Sequence, residues 1–390
     1  MSNAIKSFSQ AILFILASLV VVVVRVWRPI KLIRFGPLTS NRLGHFAGNT
    51  ELFLSERELG MHGLGAIDIF YHGAPVCNQQ LATMWERALP VSKTAAYIDR
   101  VNRRVPGGNA HVIPWRVSDR DLFGVFATTR PHLSFNETED EKGQEGLRKL
   151  GIPEGAPFVC LHSRDSTYLT KQYPDLDLSY HDYRDSTITN FLPAAKELVR
   201  RGYYVVRTGA AVKTPISALI PGVLDYATNC QSEFMDIYLG ANCSFYLGDS
   251  CGFHAIPMIF RRPLAIVNMV PIEHAPTWMA DCPFIPKKHW SVNENRVLTF
   301  KEILESGAGN YVKASQFQQA GIEVLENTPE EIAAIAVEMD ERLAGTWKSS
   351  DEDDALQRRF WDLWKPNDLN HDFKVRIGAI YLRQNVDLLN

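Results

Sequence analysis

Short apolar runs alternate with segments of helical periodicity along most of the chain. Each run ends in small, polar or charged residues, which predicts a buried strand followed by a loop. Residues 187–201 have helical periodicity, and Gly202 ends that predicted helix. Strands that alternate with helices predict a mostly parallel, doubly wound α/β sheet. The apolar runs in the second half of the chain occupy residues 156–162, 203–207, 245–247 and 264–267.

Residues 244–268 predict a strand, a small-residue turn, a short helix and a second strand. Glycines at both ends of residues 248–252 permit a tight turn, and free N–H groups at the start of the following helix could hold an anion. A crossover that binds nothing explains the same pattern, so other residues have to decide between the two.

The remaining pattern predicts further elements in both halves. Residues 137–150 run from acidic to basic and predict a solvated helix, and Thr328 with Glu331 predicts the start of another. Residues 349–354 predict an acidic loop or a helix start. Strands are predicted at residues 30–35 and 66–71 and from Tyr226 onward, and helices from Arg42 or Asn49 and at residues 78–87, 233–239, 329–343 and 356–364.

The N-terminal segment is strongly apolar. Residues 7–24 carry no charge, which is close to the length of a membrane-spanning helix. Only Lys6 precedes the apolar stretch, whereas Arg25, Arg28, Lys31 and Arg34 follow it. The positive-inside rule therefore predicts an anchor in the cell inner membrane with the rest of the chain in the cytoplasm. The alternative is a helix that lies in the plane of the inner leaflet.

Length and composition bound the organisation of the chain. Its 390 residues suit two domains, and a net charge of -3 argues against nucleic-acid binding. The six cysteines form no CxxC pair, so no metal site is predicted. The predicted divisions are a membrane anchor at 1–27, a Rossmann-like acceptor domain at 28–150, a Rossmann-like nucleotide-sugar domain at 151–345, and helices at 346–390 that pack back across the domains.

Polar side chains follow three of the predicted parallel strands, where ligands of open α/β sheets bind. Arginine binds phosphate oxygens in a bidentate manner, and small residues expose backbone N–H groups. Arg164 is the first candidate for holding a nucleotide diphosphate, and a structural ion pair with Asp165 or Asp185 is its alternative role. The predicted donor-binding residues are Arg164, Thr208, Gly209, Asp249, Ser250, Cys251 and Gly252.

The first domain offers a predicted loop at residues 40–45. His45 is the candidate base for an acceptor hydroxyl, with Asp165 as a second candidate, because a histidine near neutral pKa can take a proton. A histidine that only caps a helix or positions an acceptor is the alternative. The predicted acceptor-binding residues are Arg42, Gly44, Asn78 and Gln79. A polar helix start followed by the buried Trp85 explains the last two equally well.

Two further motifs indicate other chemistries. Residues 248–252 match G-x-S-x-G, the nucleophile elbow of serine hydrolases, with Ser250, Asp281 and His289 in the required chain order. Asp175 and Asp177 resemble a metal-binding D-x-D, but the triplet is common by chance and its surroundings indicate a solvated loop.

The segments LIRFGPLTSNRLGHFAGNTELFL, FVCLHSRDSTYL and GDSCGFHAIPMIFRRP resemble bacterial glycosyltransferases associated with surface-polysaccharide genes. LHSR followed by the GDSCG turn is distantly similar to the H-x-R and Ser-rich motifs of fucosyltransferases with the GT-B fold. The resemblance implies that Arg164 holds the nucleotide diphosphate, and that Ser250 and nearby backbone amides complete the site. Residues 254–260 lack the acid that holds the ribose in many GT-B enzymes.

The sequence therefore predicts an α/β, GT-B-like chain with two facing Rossmann-like domains. Its predicted activity is metal-independent hexosyl or deoxyhexosyl transfer from a nucleotide sugar to a lipid-linked or surface-polysaccharide acceptor at the cytoplasmic membrane face, with no cofactor beyond the substrate. The alternatives are an epimerase, a pyruvyl transferase, a serine hydrolase, or a non-catalytic scaffold of a polysaccharide assembly complex.

Overall fold

The computed structural model describes residues 2–63, 65–115, 120–172, 174–216, 220–280, 282–365 and 375–390, with side chains from residue 12 onward. The chain forms two compact units. Unit 1 comprises Met1–Asp119 and Val125–Phe135, and unit 2 comprises Arg120–Gly124 and Asn136–Asn390.

Unit 1 is a small α/β unit built on two parallel strands, which pair from Ile33 with Ile67 to Leu38 with His72. Single parallel bridges, Phe35 with Val112 and Phe70 with Val91, extend the pair on both sides. Its elements are α1 (Ser2–Trp27), β1 (Ile33–Leu38), α2 (Leu43–Glu58), β2 (Ile67–His72), α3 (Gln79–Ala88) and α4 (Ala95–Asn102), with 3-10 turns at Gly108–His111 and Val125–Ala127.

The N-terminal segment forms the single helix α1. The membrane-spanning anchor predicted for residues 1–27 is not found. Over the residues that the structure describes, no helix has both the length and the apolar character needed to cross a membrane. One face of α1 buries Ala17, Val21 and Val24 within unit 1, and its main neighbour is α4.

Unit 2 is built on a six-stranded parallel sheet with strand order β5-β4-β3-β6-β7-β8. The chain fills one half of the sheet, β3 to β5, and then crosses to fill the other half, β6 to β8. This is the strand order of a Rossmann-type sheet. The strands are β3 (Phe158–His162), β4 (Tyr204–Arg207), β5 (Val223–Leu224), β6 (Phe245–Asp249), β7 (Leu264–Met269) and β8 (Phe284–Pro286).

Helices cover this sheet, and a second sheet of three antiparallel strands follows it in the chain: β9 (Lys288–Ser291), β10 (Arg296–Val297) and β11 (Ile322–Leu325). The pairs α7 with α13, α13 with α15, and α9 with α10 pack together. The helices of unit 2 are α5 (Glu137–Lys149), α6 (Thr167–Gln172), α7 (Leu192–Arg200), α8 (Tyr226–Asn229), α9 (Glu233–Asn242), α10 (Ala255–Ile259), α11 (Phe300–Glu305), α12 (Ala314–Gln319), α13 (Pro329–Leu343), α14 (Asp351–Asp362) and α15 (Ala379–Gln384). Short 3-10 segments occur at Ser179–Arg184, Ile188–Phe191, Ile272–His274, Ala308–Asn310 and Val386–Leu389.

The central strands are where sequence and structure agree best. All of β6 and β7 is buried, as is β3 up to its last residue, so these strands read as continuous apolar runs. The strand predicted from Tyr226 is wrong. Residues 226–229 form one helical turn, in which the Tyr226 hydroxyl donates to Asp236 Oδ1 at 2.8 Å, and the short strand β5 comes just before it.

Helix starts follow their capping residues. Asn136 and Glu139 form a capping box at α5, and Thr328 with Glu331 forms one at α13. Ser350 caps α14, so the acidic segment predicted at residues 349–354 is a helix start. The helix predicted over residues 187–201 divides into the 3-10 segment Ile188–Phe191 and α7, which carries a proline in its first turn.

Candidate functional site

The candidate site lies where β3 and β6 run side by side at the centre of the unit 2 sheet. Their register pairs Val159 with Phe245 and His162 with Gly248. The chain leaves β3 towards one edge of the sheet and leaves β6 towards the other, so a crevice opens between the carboxyl ends of these two strands. Arg164 follows β3 and Ser250 follows β6, so two of the predicted donor-binding residues flank the crevice.

Close packing at the end of β6 explains Gly248. A Cβ at this position would collide with the carbonyl oxygen of His162 on the neighbouring strand and with the Tyr246 ring. The Tyr246 hydroxyl donates to the Asp249 carbonyl oxygen at 2.7 Å, and this hydrogen bond stabilises the start of the turn after β6. The following helix, α10, begins only at Ala255 and has five residues. Such a short helix contributes little dipole, so side chains have to supply most of the positive charge for an anion.

Asp249 organises the loops around the crevice. It is 1% exposed, and its Oδ2 accepts hydrogen bonds from the backbone N–H of Arg164, at 2.6 Å, and from the Ser186 hydroxyl. Its Oδ1 accepts from Asn268 Nδ2 at 2.9 Å. Burial raises the pKa of Asp249, and these three hydrogen bonds oppose the shift. The carboxylate of this predicted donor-binding residue is thus engaged in joining loops.

Arg164 has a counter-ion within unit 2. It is 9% exposed, and its Nη1 donates to the Asp185 carboxylate and, at 3.3 Å, to the His181 carbonyl oxygen. Burial raises the pKa of Asp185 to about 6 although Arg164 opposes that rise. The ion pair considered as an alternative role for Arg164 therefore exists, and its acid partner is Asp185.

Two further cations, Arg184 and Lys287, lie at the crevice between β3 and β6. The sequence pattern predicts neither of them. Arg184 Nη2 donates to the Ser250 carbonyl oxygen at 2.5 Å, and its buried Nε has no hydrogen-bond partner among the described residues. Burial and the nearby Arg164 lower the pKa of Arg184. Lys287 is 3% exposed, and its Nζ donates to the carbonyl oxygens of Asp185, at 2.6 Å, and Tyr183, at 3.1 Å.

Cys251 lies between two histidines. Burial opposes its ionisation, but His162 and His254 outweigh this effect and hold the pKa of the Cys251 thiol well below its usual range. Burial lowers the pKa of His162, yet Cys251 and Asp249 raise it overall. The Tyr246 hydroxyl lies 3.6 Å from Cys251 Sγ. A cysteine whose pKa is lowered by two neighbouring histidines therefore borders the crevice.

The loop after β4 closes one side of the site. Thr208 is fully buried, and its carbonyl oxygen accepts a hydrogen bond from His162 Nδ1 at 3.0 Å. Gly209 adopts a φ of 151°, which side chains rarely permit. Asp165 accepts hydrogen bonds from the backbone N–H groups of Thr167 and Lys213, each at 2.9 Å. It therefore fastens the loop after β3 to the loop after β4.

The predicted acceptor residues all belong to unit 1. His45 lies in the first turn of α2, not in a loop, and its Nδ1 is 3.3 Å from Asn49 Oδ1. Arg42 is the exposed residue just before α2, and Gly44 lies within it. Asn78 caps α3 through a 2.8 Å bond from Leu81 N–H, and Gln79 is the first residue of that helix.

The described residues of the predicted serine-hydrolase and D-x-D motifs are not brought together by the structure. His289 is fully buried on β9, and burial lowers its pKa to about 4. Asp281 is outside the described residues, and no contact joins His289 to Ser250 in the part of the chain that is described.

Trp85 is buried, and its Nε1 donates to the Phe46 carbonyl oxygen at 3.1 Å. Asp177 is exposed and accepts from Ser179 N–H at 3.0 Å. Within the described ranges, no three His, Cys, Asp or Glu residues are grouped as metal ligands would be.

No protein-family model and no curated protein matches the chain. Among solved structures, it is similar to ADP-heptose LPS heptosyltransferase II from E. coli, with 15% identity and a TM-score of 0.40 over 65% of this chain and 90% of that one. It is also similar to a family 9 glycosyl transferase from Veillonella parvula, with 9% identity and a TM-score of 0.44 over 80% of this chain and 96% of that one. A third likeness is the iron-containing dodecameric glycosyltransferase TibC from enterotoxigenic E. coli, with 16% identity and a TM-score of 0.34 over 62% and 59% of the two chains.

Identities and TM-scores this low carry no argument about activity. All three are described as glycosyltransferases and none is described as a fucosyltransferase, so the predicted likeness to fucosyltransferases stays a prediction. The interpretation of the site depends on this chain's own residues.

Proposed function

We propose that this protein is a glycosyltransferase that uses a nucleotide-diphosphate sugar as its donor. One observation carries the proposal: two arginines lie at the crevice between β3 and β6 of a Rossmann-type sheet. Arg164 follows β3, and Arg184 donates to the Ser250 carbonyl oxygen just after β6. Such crevices bind nucleotides in open α/β sheets. Two guanidinium groups held close together repel each other, and a diphosphate between them would remove that repulsion.

In this proposal, the donor diphosphate lies against Arg164 and Arg184, with the Ser250 hydroxyl beside it. Arg184 already contacts the Ser250 carbonyl oxygen, and its buried Nε–H has no partner in the part of the chain that the structure describes. During transfer, the bond between the sugar's anomeric carbon and the phosphate oxygen breaks. Negative charge then grows on the leaving diphosphate. The two guanidinium groups stabilise that charge without a metal ion.

The acceptor side of the proposal is carried by unit 1. An acceptor hydroxyl attacks the anomeric carbon as its proton passes to a base, for which His45 and Asp165 are the candidates. Asp165 accepts two backbone hydrogen bonds that join the loops after β3 and β4, so its carboxylate is already engaged. His45 lies in the first turn of α2 with its Nδ1 3.3 Å from Asn49 Oδ1, and we favour it because an imidazole can take a proton near neutral pH.

The finer features are proposals of the same kind. We propose that the two units face each other in a GT-B arrangement, that the transferred group is a hexosyl or deoxyhexosyl unit, and that the acceptor is a lipid-linked or surface-polysaccharide glycan at the cytoplasmic face of the inner membrane. The exposed apolar side chains of α1 support the membrane setting, because a lipid-linked acceptor is available only at a bilayer.

Nucleotide binding tests the donor site. Calorimetric titration of the purified chain with ADP, GDP, UDP and their sugar conjugates should show binding of at least one of them. Arg164→Ala and Arg184→Ala should each weaken that binding about tenfold to a hundredfold, because each removes charge-assisted hydrogen bonds worth about 1.5 to 3 kcal/mol.

Two further variants sharpen this test. Asp185→Asn removes the counter-ion of Arg164 and should tighten diphosphate binding, since the arginine no longer has to exchange one anion for another. Arg296→Ala is the matched control, because it removes an arginine from the exposed ion pairs with Glu294 and Glu302. Binding of none of the nucleotides, or full affinity in Arg164→Ala, would overturn the proposal.

A further inference from the structure

The inner face of α1 is fixed to the body of unit 1. Ala17, Val21 and Val24 are buried at spacings of four and three residues, and Val24 packs with Phe35 and Ala95. Further towards the N-terminus, the Phe14 ring meets the Tyr97 ring of α4 edge-on, with centroids 6.0 Å apart. One side of this helix is therefore part of the unit 1 core.

Arg25 fastens the end of the helix. Its guanidinium donates to the carbonyl oxygens of Asn102, Val105 and Pro106 at 2.8 to 3.1 Å, and to Asn102 Oδ1 at 3.0 Å. All these acceptors lie at or just after the end of α4. Pulling α1 away from the unit would leave them without this donor, so the docked position of the helix is specific.

The outer face of α1 is apolar and open. Of the twenty exposed large hydrophobic residues in the described part of the chain, ten fall within residues 12–30. Residues 12–27 of α1 span about 24 Å at about 1.5 Å per residue, so their exposed side chains form one continuous strip. We call this strip the outer face. It comprises Ile12, Ile15, Leu16, Leu19, Val20, Val22, Val23, Val26 and Trp27 on α1, and Ile30 in the turn just after it.

Positive charge borders the outer face. The first acidic residue of the chain is Glu51, and it is buried, whereas six lysines and arginines precede it in the sequence, of which Arg34 is buried against Asp68. Arg28 is exposed at the end of α1. Arg100 and Arg104 are exposed on and after α4, and their guanidinium carbons lie 6.0 and 5.9 Å from the Phe14 ring centroid.

This combination selects one kind of partner. A second copy of the chain would bring two arginine-rich borders together, which like-charge repulsion opposes. An anionic lipid surface matches both the apolar outer face and the arginines beside it. Its acyl region accepts the apolar side chains, and its headgroups attract the arginines. Trp27 lies at the end of the strip, and tryptophan is enriched at the membrane interface.

We infer that α1 lies in the plane of an anionic bilayer, with its outer face in the interfacial region and its inner face still docked on unit 1. In an ordinary interfacial helix the second face is polar and contacts water; here the body of unit 1 takes that place. The inference deepens the membrane setting of the proposed function, but its evidence lies in unit 1 alone.

Vesicle flotation of the purified full chain tests the inference. The chain should float with vesicles of phosphatidylcholine mixed with phosphatidylglycerol, and bind phosphatidylcholine alone more weakly. Leu19→Glu combined with Val23→Glu should lower binding roughly a hundredfold, because two apolar side chains no longer enter the interface. The matched control is Val292→Glu with Val312→Glu, two exposed apolar residues of unit 2, and it should bind as the wild type does.

The charge and the orientation are tested separately. Arg100→Gln with Arg104→Gln should reduce binding to the anionic vesicles about thirtyfold at low salt, at about 1 kcal/mol for each arginine, and leave binding to the neutral vesicles unchanged. An alkaline carbonate wash should release the wild-type chain. Resistance to that wash would indicate a spanning helix and overturn the in-plane inference.

Two other outcomes would also overturn it. One is equal vesicle binding by the wild type and the Leu19→Glu, Val23→Glu variant. The other is self-association, shown by sedimentation as a dimer that this variant abolishes, with no vesicle binding. Nucleotide titration of the same variants in solution keeps the two proposals distinguishable, because the substitutions in α1 leave Arg164 and Arg184 intact.

Discussion

Replacing Asp249 with asparagine should destabilise unit 2 although the two side chains have the same shape. The carboxylate accepts three hydrogen bonds, two at Oδ2 and one, from Asn268, at Oδ1. An amide has a single oxygen. If that oxygen stays at the Oδ2 position, the new NH2 group faces the NH2 group of Asn268. The Asn268 amide cannot rotate by 180° to relieve this, because its Oδ1 would then lose the hydrogen bond that it accepts from Asn327 N–H at 2.7 Å.

The magnitude follows from these contacts. One buried donor of Asn268 loses its acceptor, at about 1 to 3 kcal/mol, and two bonds to a charged acceptor become bonds to a neutral one. Removal of a buried charge offsets part of this loss, because burial raises the pKa of Asp249. We expect a net loss of about 1 to 3 kcal/mol, which is several degrees in the melting temperature of a unit of this size.

Scanning calorimetry of the full chain measures the loss, and a second substitution checks its cause. Combining Asp249→Asn with Asn268→Asp exchanges the two groups, so that the amide at 249 donates to a carboxylate at 268. Asn268 has a φ of 50°, a conformation that asparagine and aspartate both tolerate. The exchanged pair should recover most of the stability. A melting temperature for the exchanged pair no higher than that of Asp249→Asn would refute the reasoning.

Two further predictions concern titration. Burial raises the pKa of Asp236 to about 6 from 3.8, so between about pH 4 and pH 6 the native state keeps a proton that the unfolded state has released. Stability should therefore fall as pH rises through this window, and Asp236→Asn should remove about 3 kcal/mol of that dependence in urea titrations. Equal pH slopes in the two proteins would contradict this assignment. At neutral pH, iodoacetamide should modify Cys251 faster than the more exposed Cys230, whose pKa burial raises, and His162→Asn should slow the reaction at Cys251. Peptide mass spectrometry would show which cysteine is labelled first, and faster labelling of Cys230 would contradict the lowered pKa of Cys251.

The sequence predicted the parts of the site that depend on local pattern. Strands β3 and β6 are buried on both faces, so their apolar runs are visible, and the residues that follow them are known once the strands are. Arg164 and Ser250 were found in this way. The three-residue spacing between a capping residue and its partner is also local, which is why the starts of α5 and α13 were predictable.

The parts that depend on tertiary packing were not visible. Arg184 ends the 3-10 segment Ser179–Arg184, and Lys287 lies between β8 and β9, in segments where no periodicity marks a strand tip. Their convergence depends on how two loops fold over the sheet. The sequence offers Asp165 and Asp185 as counter-ions of Arg164. It does not distinguish between them, because both are near Arg164 in the sequence. The turn at Tyr226 was misassigned because a short apolar run does not distinguish a strand from a helical turn.

Asp165 and Asp249 together connect five segments: the loops after β3 and β4, residue 186, the end of β6 and the end of β7. The backbone around Arg164 is therefore held in place by the protein's own hydrogen bonds. A site preorganised in this way loses little conformational entropy when a ligand arrives, and more of the interaction energy appears as affinity. The same rigidity limits which ligands fit, so discrimination among donors would come from the shape of the crevice more than from closure around the substrate.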